Sequence, residues 1–198
     1  MALLLSVTVG AILVGWATGG RLERLADVPM RGWRVVLVAI AAVVAGAMLS
    51  TIGGAAGYAA AVGGPLAAAV CVLTVLTRNR AVEGVPLLAA GLLLNAAVIA
   101  ANGVMPVSLY AESRAGVPAG SLLRAEDSTH EIADSHTRLR AFSDVVPVPL
   151  PGRPEIVSVG DILIVSGVAL LIVSGMHRRR ASDETELADQ RQRETAAA

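Results

Sequence analysis

The fold is decided by residues 157–180, which read VSVGDILIVSGVALLIVSGMHRRR. Asp161 lies near the start of this stretch, and three arginines end it at 178–180. A helix rises about 1.5 Å per residue, so about 20 apolar residues are needed to cross about 30 Å of hydrocarbon. The run between the acid and the arginines is long enough. It predicts a transmembrane helix over 157–176, followed by a basic anchor near anionic headgroups.

Four further apolar stretches precede this one. They cover residues 2–20, 35–50, 54–77 and 85–101. The third carries Gly63, Gly64 and Pro65 at its middle, a sequence that either kinks a helix or breaks it into a re-entrant segment. With 55% apolar and 16% charged residues, and a mean hydropathy of +0.66, the chain is too apolar for a soluble domain of its size. We therefore predict an all-α membrane protein, a bundle of five transmembrane helices.

The distribution of arginine predicts the orientation of the bundle. Basic clusters lie at 21–34, 78–80 and 178–180, whereas the turn at 51–53 has no charge. Short cytoplasmic loops are enriched in basic residues. The alternation therefore places the N-terminus outside and the C-terminus in the cytoplasm of a multi-pass protein. Arginine without lysine, in a chain rich in Ala, Gly and Val, is typical of a GC-rich bacterium, so we predict the bacterial plasma membrane.

The same parity divides the chain into four regions. They are a four-helix transmembrane region at 1–102, an exterior cap loop at 103–154, a fifth transmembrane helix at 155–177 and a polar cytoplasmic tail at 178–198. The loop is too small for an independent enzyme domain, because a core of fifty residues is marginal without disulfides or metal. We expect it to fold over the bundle.

Several classes of function are excluded or disfavoured by composition. Zero net charge and 3% aromatic residues rule out nucleic-acid binding. The one cysteine, Cys71, lies in an apolar run and is expected to pack as a small hydrophobe. No hydrolase or phosphate-binding motif is present. His130, Asp134 and His136 lie close in sequence but lack a recognised ligand spacing. We predict no metal and no cofactor.

Polar side chains inside a membrane helix are costly, which makes Asn95 and Asn102 candidate functional residues. They are seven residues apart and therefore share one helix face, which we expect to point into the bundle. Two interpretations remain open. The amides either join helices by hydrogen bonds or line a ligand or proton pathway reached from outside.

Asp161 has two interpretations as well. Ser158 and Asp161 have capping-box spacing at the start of the fifth helix, where the carboxylate also meets the positive end of the helix dipole. Alternatively, Asp161 faces a pocket shared with Asn102, since parity puts both at the same membrane surface. We predict that the loop covers this pocket, with His130 or His136 contributing from above.

The chain carries an Asn-Gly-x-Met-Pro-Val element at 102–107 and a Val-Gly-Asp element at 159–161. With these elements most of the chain resembles a family of small bacterial membrane proteins of unknown function, DUF5317, and the similarity is strongest at 92–164. Where the family has Leu-Gly-Asp, this chain has Phe-Ser-Asp at 142–144, which puts a turn-specific role of that glycine in doubt. The resemblance implies the five-helix layout and no known activity. Together with the polar residues above, it nominates candidate ligand or structural positions: Asn95, Asn102, Met105, Pro106, His130, Asp144 and Asp161.

The function predicted from the sequence is a non-enzymatic accessory, assembly or small-ligand-binding membrane component. The alternative is an intramembrane enzyme or small transporter that uses Asn95, Asn102 and Asp161. Expected partners are the lipid bilayer and either a membrane protein or a second copy of the chain. Small residues at helix-packing spacing, such as Gly160 and Gly167, serve the bundle itself or a dimer interface.

Overall fold

The computed structural model describes residues 2–52, 54–116, 130–150, 154–178 and 192–193. It is mostly helical. In chain order its helices and strands are α1 (Ala2–Ala17), α2 (Trp33–Ser50), α3 (Gly54–Arg78), α4 (Val85–Asn102), β1 (Met105–Val107), α5 (Leu109–Ala115), β2 (His130–Ile132), β3 (Val146–Val148), β4 (Glu155–Val157) and α6 (Val159–His177). Short 3-10 helices lie at Leu22–Asp27 and Arg140–Phe142. Most of the predicted polar tail lies outside the described residues.

A long helix is present at each of the five predicted positions. Helix α3 runs unbroken through residues 63–65, so the chain does not form a re-entrant turn there. Among the described residues, α4 and α6 are long and apolar enough to cross a membrane by length and composition. Shorter apolar helical stretches lie at Ala2–Ala17, Trp33–Gly46 and Ala67–Arg78.

The long helices pack in two groups. Helices α2 and α3 form a hairpin, which we call the hairpin, and α6 packs between α1 and α4 in what we call the three-helix unit. The hairpin crosses at two glycines, Gly46 and Gly64. A Cβ on Gly64 would lie 2.6 Å from the carbonyl oxygen of Ala42 and 2.9 Å from the Cα of Gly46. The two backbones are therefore in direct contact, as small residues permit between helices in lipid.

Glycines also set the contacts of α6. Gly160 packs against Gly91 of α4, and Gly167 packs against Gly84 at the start of α4. On the other side of α6, Met176 fills the space over Gly15 of α1. Gly160 and Gly167, which the sequence predicted as helix-packing residues, therefore pack against α4 within the chain.

The basic segments lie at one end of the molecule, which we call the basic end. The backbone N–H of Arg21 donates to the carbonyl oxygen of Met176 at 2.8 Å, which joins the segment after α1 to the end of α6. The side chain of Asn79 accepts from the N–H of Arg31 at 2.7 Å and donates to its carbonyl oxygen at 2.8 Å. The segments after α1, after α3 and after α6 therefore meet, as the charge alternation predicts for loops on one side.

The opposite end carries the described parts of residues 103–157, which we call the cap. Strand β1 pairs in parallel with β2, and β3 pairs antiparallel with β4. The cap begins at Gly103, whose φ of +89° ends α4 in a conformation that suits glycine. It packs against α4 through β1 and against α6 through β4. The described cap residues thus fold over the bundle rather than extending away from it.

Candidate functional site

A cleft opens where the cap meets α1 and α6, with a volume of about 480 Å³. We call it the cap cleft. Its walls are largely apolar. They are formed by α1, by α6, by β4 and by the proline that precedes β4: Leu3, Leu4, Pro154, Ile156, Val157, Ile164 and Val165. Its polar lining is His130, Asp144, Glu155 and Asp161. The volume lies within the range of pockets for small molecules, roughly 300–1,000 Å³.

The floor of this site is a closed hydrogen-bond network between α4 and the start of α6. The N–H of Asp161 donates to the Ser158 hydroxyl at 2.9 Å, and the N–H of Ser158 donates to the Asp161 carboxylate at 3.0 Å. This is the capping box predicted from the sequence. Asn95 completes the network. Its Nδ2 donates to Asp161 Oδ1 at 2.8 Å, and its Oδ1 accepts from the Ser158 hydroxyl at 2.8 Å.

Capping a helix and facing a cleft are therefore compatible roles for Asp161. One carboxylate oxygen accepts from the N–H of Ser158 and the other from Asn95 of α4, and the side chain also lines the cap cleft. Asn95 joins α4 to α6 by hydrogen bonds, which is the first of the two interpretations of that residue given above. Gly160 makes room for it, because a Cβ at position 160 would collide with the Asn95 side chain and come within 2.8 Å of the Gly91 carbonyl oxygen.

Asp144 is held at the cleft by the strands of the cap. Its N–H donates to the carbonyl oxygen of Pro106 at 3.0 Å, and its carbonyl oxygen accepts from the N–H of Ser108 at 2.9 Å. Strand β1 thus has β2 along one side and Asp144 along the other. This arrangement brings His130 and Asp144, fourteen residues apart in the chain, to the same cleft.

The Asp144 carboxyl group is buried and incompletely paired. The residue is 7% exposed. Its Oδ2 lies 3.8 Å from Nε2 of His130, and its Oδ1 is buried with no hydrogen-bond partner among the described residues. Burial, reinforced by the nearby charge of Asp161 and opposed by His130, raises the pKa of Asp144 to about 7. This carboxyl group therefore changes its charge near neutral pH.

Glu155 has a role that the sequence did not indicate. Its two carboxylate oxygens accept from the N–H of Ala2 at 2.7 Å and from the N–H of Leu3 at 2.9 Å. The first turn of a helix has N–H groups without partners in the helix. Glu155 therefore caps α1 from 153 residues away, and no local sequence signal could have revealed such a contact.

Asn102 does not share the cap cleft with Asp161, contrary to the prediction. Its Nδ2 donates to the carbonyl oxygen of Arg138 at 2.9 Å, and its Oδ1 accepts from the N–H of Arg138 at 2.8 Å. It lines a second, smaller cleft of about 300 Å³ with Asp134 and His136. Asn102 thus ties the cap to the end of α4. The prediction failed because α4 extends beyond the start of α6, so that Asn95 rather than Asn102 lies level with Asp161.

His130 is likewise separated from Asp134 and His136. His130 lies in β2 at the cap cleft, while the Asp134 carboxylate accepts from the N–H of His136 at 2.8 Å in an exposed turn. That hydrogen bond lowers the pKa of Asp134. Among the described residues, no three His, Cys, Asp or Glu side chains form a group that could hold a metal ion.

Met105 and Pro106 are buried in β1, where they support the cleft without lining it. Ser143 occupies the position of the family's glycine with φ of −76°, so no left-handed conformation is required there. Its hydroxyl donates to the carbonyl oxygen of Arg140 at 2.7 Å, and the residue is buried. A serine thus fits this position because it is small enough to be buried there and its hydroxyl finds a hydrogen-bond acceptor.

Comparison with protein families gives a match over most of the chain. The family of unknown function (DUF5317) matches residues 27–173, well over half of the chain. The matched range contains every residue of the network and of the cap cleft except Leu3 and Leu4 of α1. Comparisons with curated proteins and with solved structures find no match.

Proposed function

Because the chain belongs to the family of unknown function (DUF5317), which its motifs resembled and which brings no activity with it, we propose a function from its own geometry. It is a multi-pass protein of the bacterial plasma membrane with five transmembrane helices. It acts as a non-enzymatic component that binds a small ligand in the cap cleft.

The exposure of the apolar surfaces of α4 and α6 supports a membrane location. A core helix of a soluble protein is mostly buried, whereas only 17% of the apolar stretch of α4 and 28% of that of α6 are buried within the molecule. Large apolar side chains are also exposed along α2, including Leu37, Val38 and Ile40. In water such an apolar surface would favour aggregation, whereas in a bilayer it contacts the apolar lipid chains.

The arrangement of charge and aromatic residues supports the orientation. The basic segments converge at one end, which suits the cytoplasmic side. Trp16 near the end of α1 and Trp33 at the start of α2 are both strongly exposed at that end. Tryptophan side chains favour the interface between hydrocarbon and water. The cap and its cleft then lie on the exterior side.

One observation carries the choice of ligand binding over the other candidate functions. The cap cleft joins apolar walls to a buried carboxyl group with an oxygen that has no hydrogen-bond partner among the described residues, and this combination is typical of small-molecule sites. The enzyme or transporter alternative depended on Asn95, Asn102 and Asp161. The polar groups of Asn95 and Asp161 bond to the α6 cap, and Asn102 holds the cap in place. None of the three presents a reactive arrangement among the described residues.

Filling the cleft tests the proposal. Val165→Trp places a large ring among the apolar walls, and Val38→Trp adds the same ring to an exposed position on α2. The full chain, extracted gently from membranes, should carry one bound small molecule in native mass spectrometry. We expect Val38→Trp to retain this molecule and Val165→Trp to lose it while staying folded. Equal retention by both variants, or no bound molecule in the unmodified chain, would overturn the proposal.

A further inference from the structure

We propose that the cap cleft binds a small organic cation, an ammonium group on an apolar chain, with the Asp144 carboxylate as its counter-ion. The inference rests on the proposed function and names the class of ligand for the same site. It follows from the charge, the pairing and the shape of the described lining residues.

The charge of the cleft favours a cation. Three acidic side chains line it, Asp144, Glu155 and Asp161, and no arginine lines it among the described residues. The chain has no lysine at all. An anionic ligand would meet like charges with little solvent to screen them, whereas a cation would be attracted by all three.

The pairing of the acids singles out Asp144. The Asp161 carboxylate oxygens accept hydrogen bonds from Ser158 and Asn95, and the Glu155 carboxylate accepts from two N–H groups of α1. Asp144 has a buried oxygen without a hydrogen-bond partner in the described structure. A buried polar atom without a partner is unfavourable. Asp144 is one of the residues that line the cap cleft, so a cationic ligand there would face the one carboxyl group of the three whose hydrogen bonding within the described residues is incomplete.

The shape and chemistry of the walls favour an organic cation over a metal ion. Calcium takes six to eight oxygen ligands and magnesium needs a near-ideal octahedron. The described residues offer no group of three ligands that could hold a metal. An ammonium group makes few directional demands, and an attached apolar chain would contact Leu4, Ile164 and Val165.

Protons compete with such a ligand. Asp144 is faced by His130 from β2, by Asp161 from α6 and by Glu155 from β4. Its raised pKa means that the carboxyl group is largely neutral in mild acid and charged above neutrality. The cation should therefore bind more tightly at pH 8 than at pH 5.5.

Butylammonium is a suitable probe, with butyrate and 1-butanol as probes of the same length and different charge. Isothermal titration of the full chain in detergent at pH 8 should show saturable binding of butylammonium only. Asp144→Asn should weaken this binding at least tenfold. The control, Asp134→Asn, removes an exposed carboxylate outside the cap cleft and should leave binding unchanged.

The ammonium group could come from a soluble amine or from a lipid headgroup, and competition separates these sources. Displacement of butylammonium by dihexanoyl phosphatidylethanolamine, but not by dihexanoyl phosphatidylglycerol, assigns a lipid. Displacement by neither assigns a soluble amine. Three results would overturn the inference. They are displacement of butylammonium by dihexanoyl phosphatidylglycerol, binding of butyrate or butanol as tight as that of butylammonium, and full affinity for butylammonium in Asp144→Asn. A bound molecule that is uncharged and lost in Val165→Trp would overturn it as well, while leaving the proposed function intact.

Discussion

The hairpin and the three-helix unit are held together by different forces. In the hairpin, Gly46 and Gly64 let the backbones of α2 and α3 touch, so the contact depends on shape. The three-helix unit also uses glycines, but Asn95, Ser158 and Asp161 add a hydrogen-bond network at its cap end. Only the second region carries the cap and its cleft.

This difference indicates where function is located. In the membrane location proposed above, buried polar groups are costly, so a region that joins its helices through Asn95, Ser158 and Asp161 has a further use for them. The two tryptophans allow the regions to be followed separately, because Trp33 begins α2 and Trp16 lies near the end of α1. Trp16→Phe therefore leaves a fluorescence probe in the hairpin, and Trp33→Phe leaves one in the three-helix unit.

The largest expected effect concerns whether the hairpin crosses the membrane. Its apolar helical stretches are shorter than those of α4 and α6. We expect reporter fusions after residue 28, after residue 80 and at the C-terminus to read cytoplasmic, and fusions near 52 and 125 to read exterior. The signals should be all or none, because each crossing inverts the side. An exterior signal at residue 80 with a cytoplasmic C-terminus would contradict the five-helix layout.

The next effect is the dependence of stability on pH. Asp144 has a pKa of about 7 in the folded chain against an ordinary value of 3.8. The folded state therefore binds more protons than the unfolded state between these values. Stability should fall as pH rises from about 4 to about 7, by on the order of 4 kcal/mol at most.

Asp144→Asn should remove this slope and raise the unfolding temperature at pH 8. Thermal unfolding in detergent with Trp33→Phe as background would measure it through Trp16. Asp134→Asn is the matched control and should keep the slope. Identical pH profiles for Asp144→Asn and the parent chain would show that another group titrates.

Two neighbouring glycines test the packing of the hairpin. A Cβ at Gly64 would strike backbone atoms of α2, whereas a Cβ at Gly63 meets nothing within 4 Å. Gly64→Ala should destabilise the hairpin by about 1–3 kcal/mol, as overpacking does, and Gly63→Ala should cost nothing or stabilise α3. Fluorescence of Trp33 in a Trp16→Phe background reports the change. Equal effects at both positions would contradict the crossing at Gly64.

The smallest expected effects compare the two asparagines of α4. Asn95→Ala removes the donor to Asp161 Oδ1 and the acceptor of the Ser158 hydroxyl, which should cost about 1–3 kcal/mol. Asn102→Ala frees backbone groups of Arg138 that water can reach, and it should cost about 1 kcal/mol or less. Unfolding followed through Trp16 gives the order. A larger loss for Asn102→Ala would mean that the cap, rather than the network, stabilises the three-helix unit.

The sequence predicted those features that depend on short-range patterns. Apolar length gave the helix positions, and the spacing of Ser158 and Asp161 gave the capping box. Partners distant in sequence could not be obtained this way. The pairing of Asp161 with Asn95 rather than Asn102 depends on how far α4 extends beyond α6, and the position of His130 depends on a parallel pairing with β1. Glu155 had no local signal at all.

The contact between Glu155 and the start of α1 bears on how the protein is made. Helix α1 leaves the ribosome long before residue 155 is synthesised, so its N-terminal N–H groups wait for a partner encoded 153 residues later. Helix α1 also packs against α6. The three-helix unit therefore closes only after β4 and α6 have been synthesised. A chain truncated before β4 would insert with an open edge, and that edge is a surface that cellular quality control can detect.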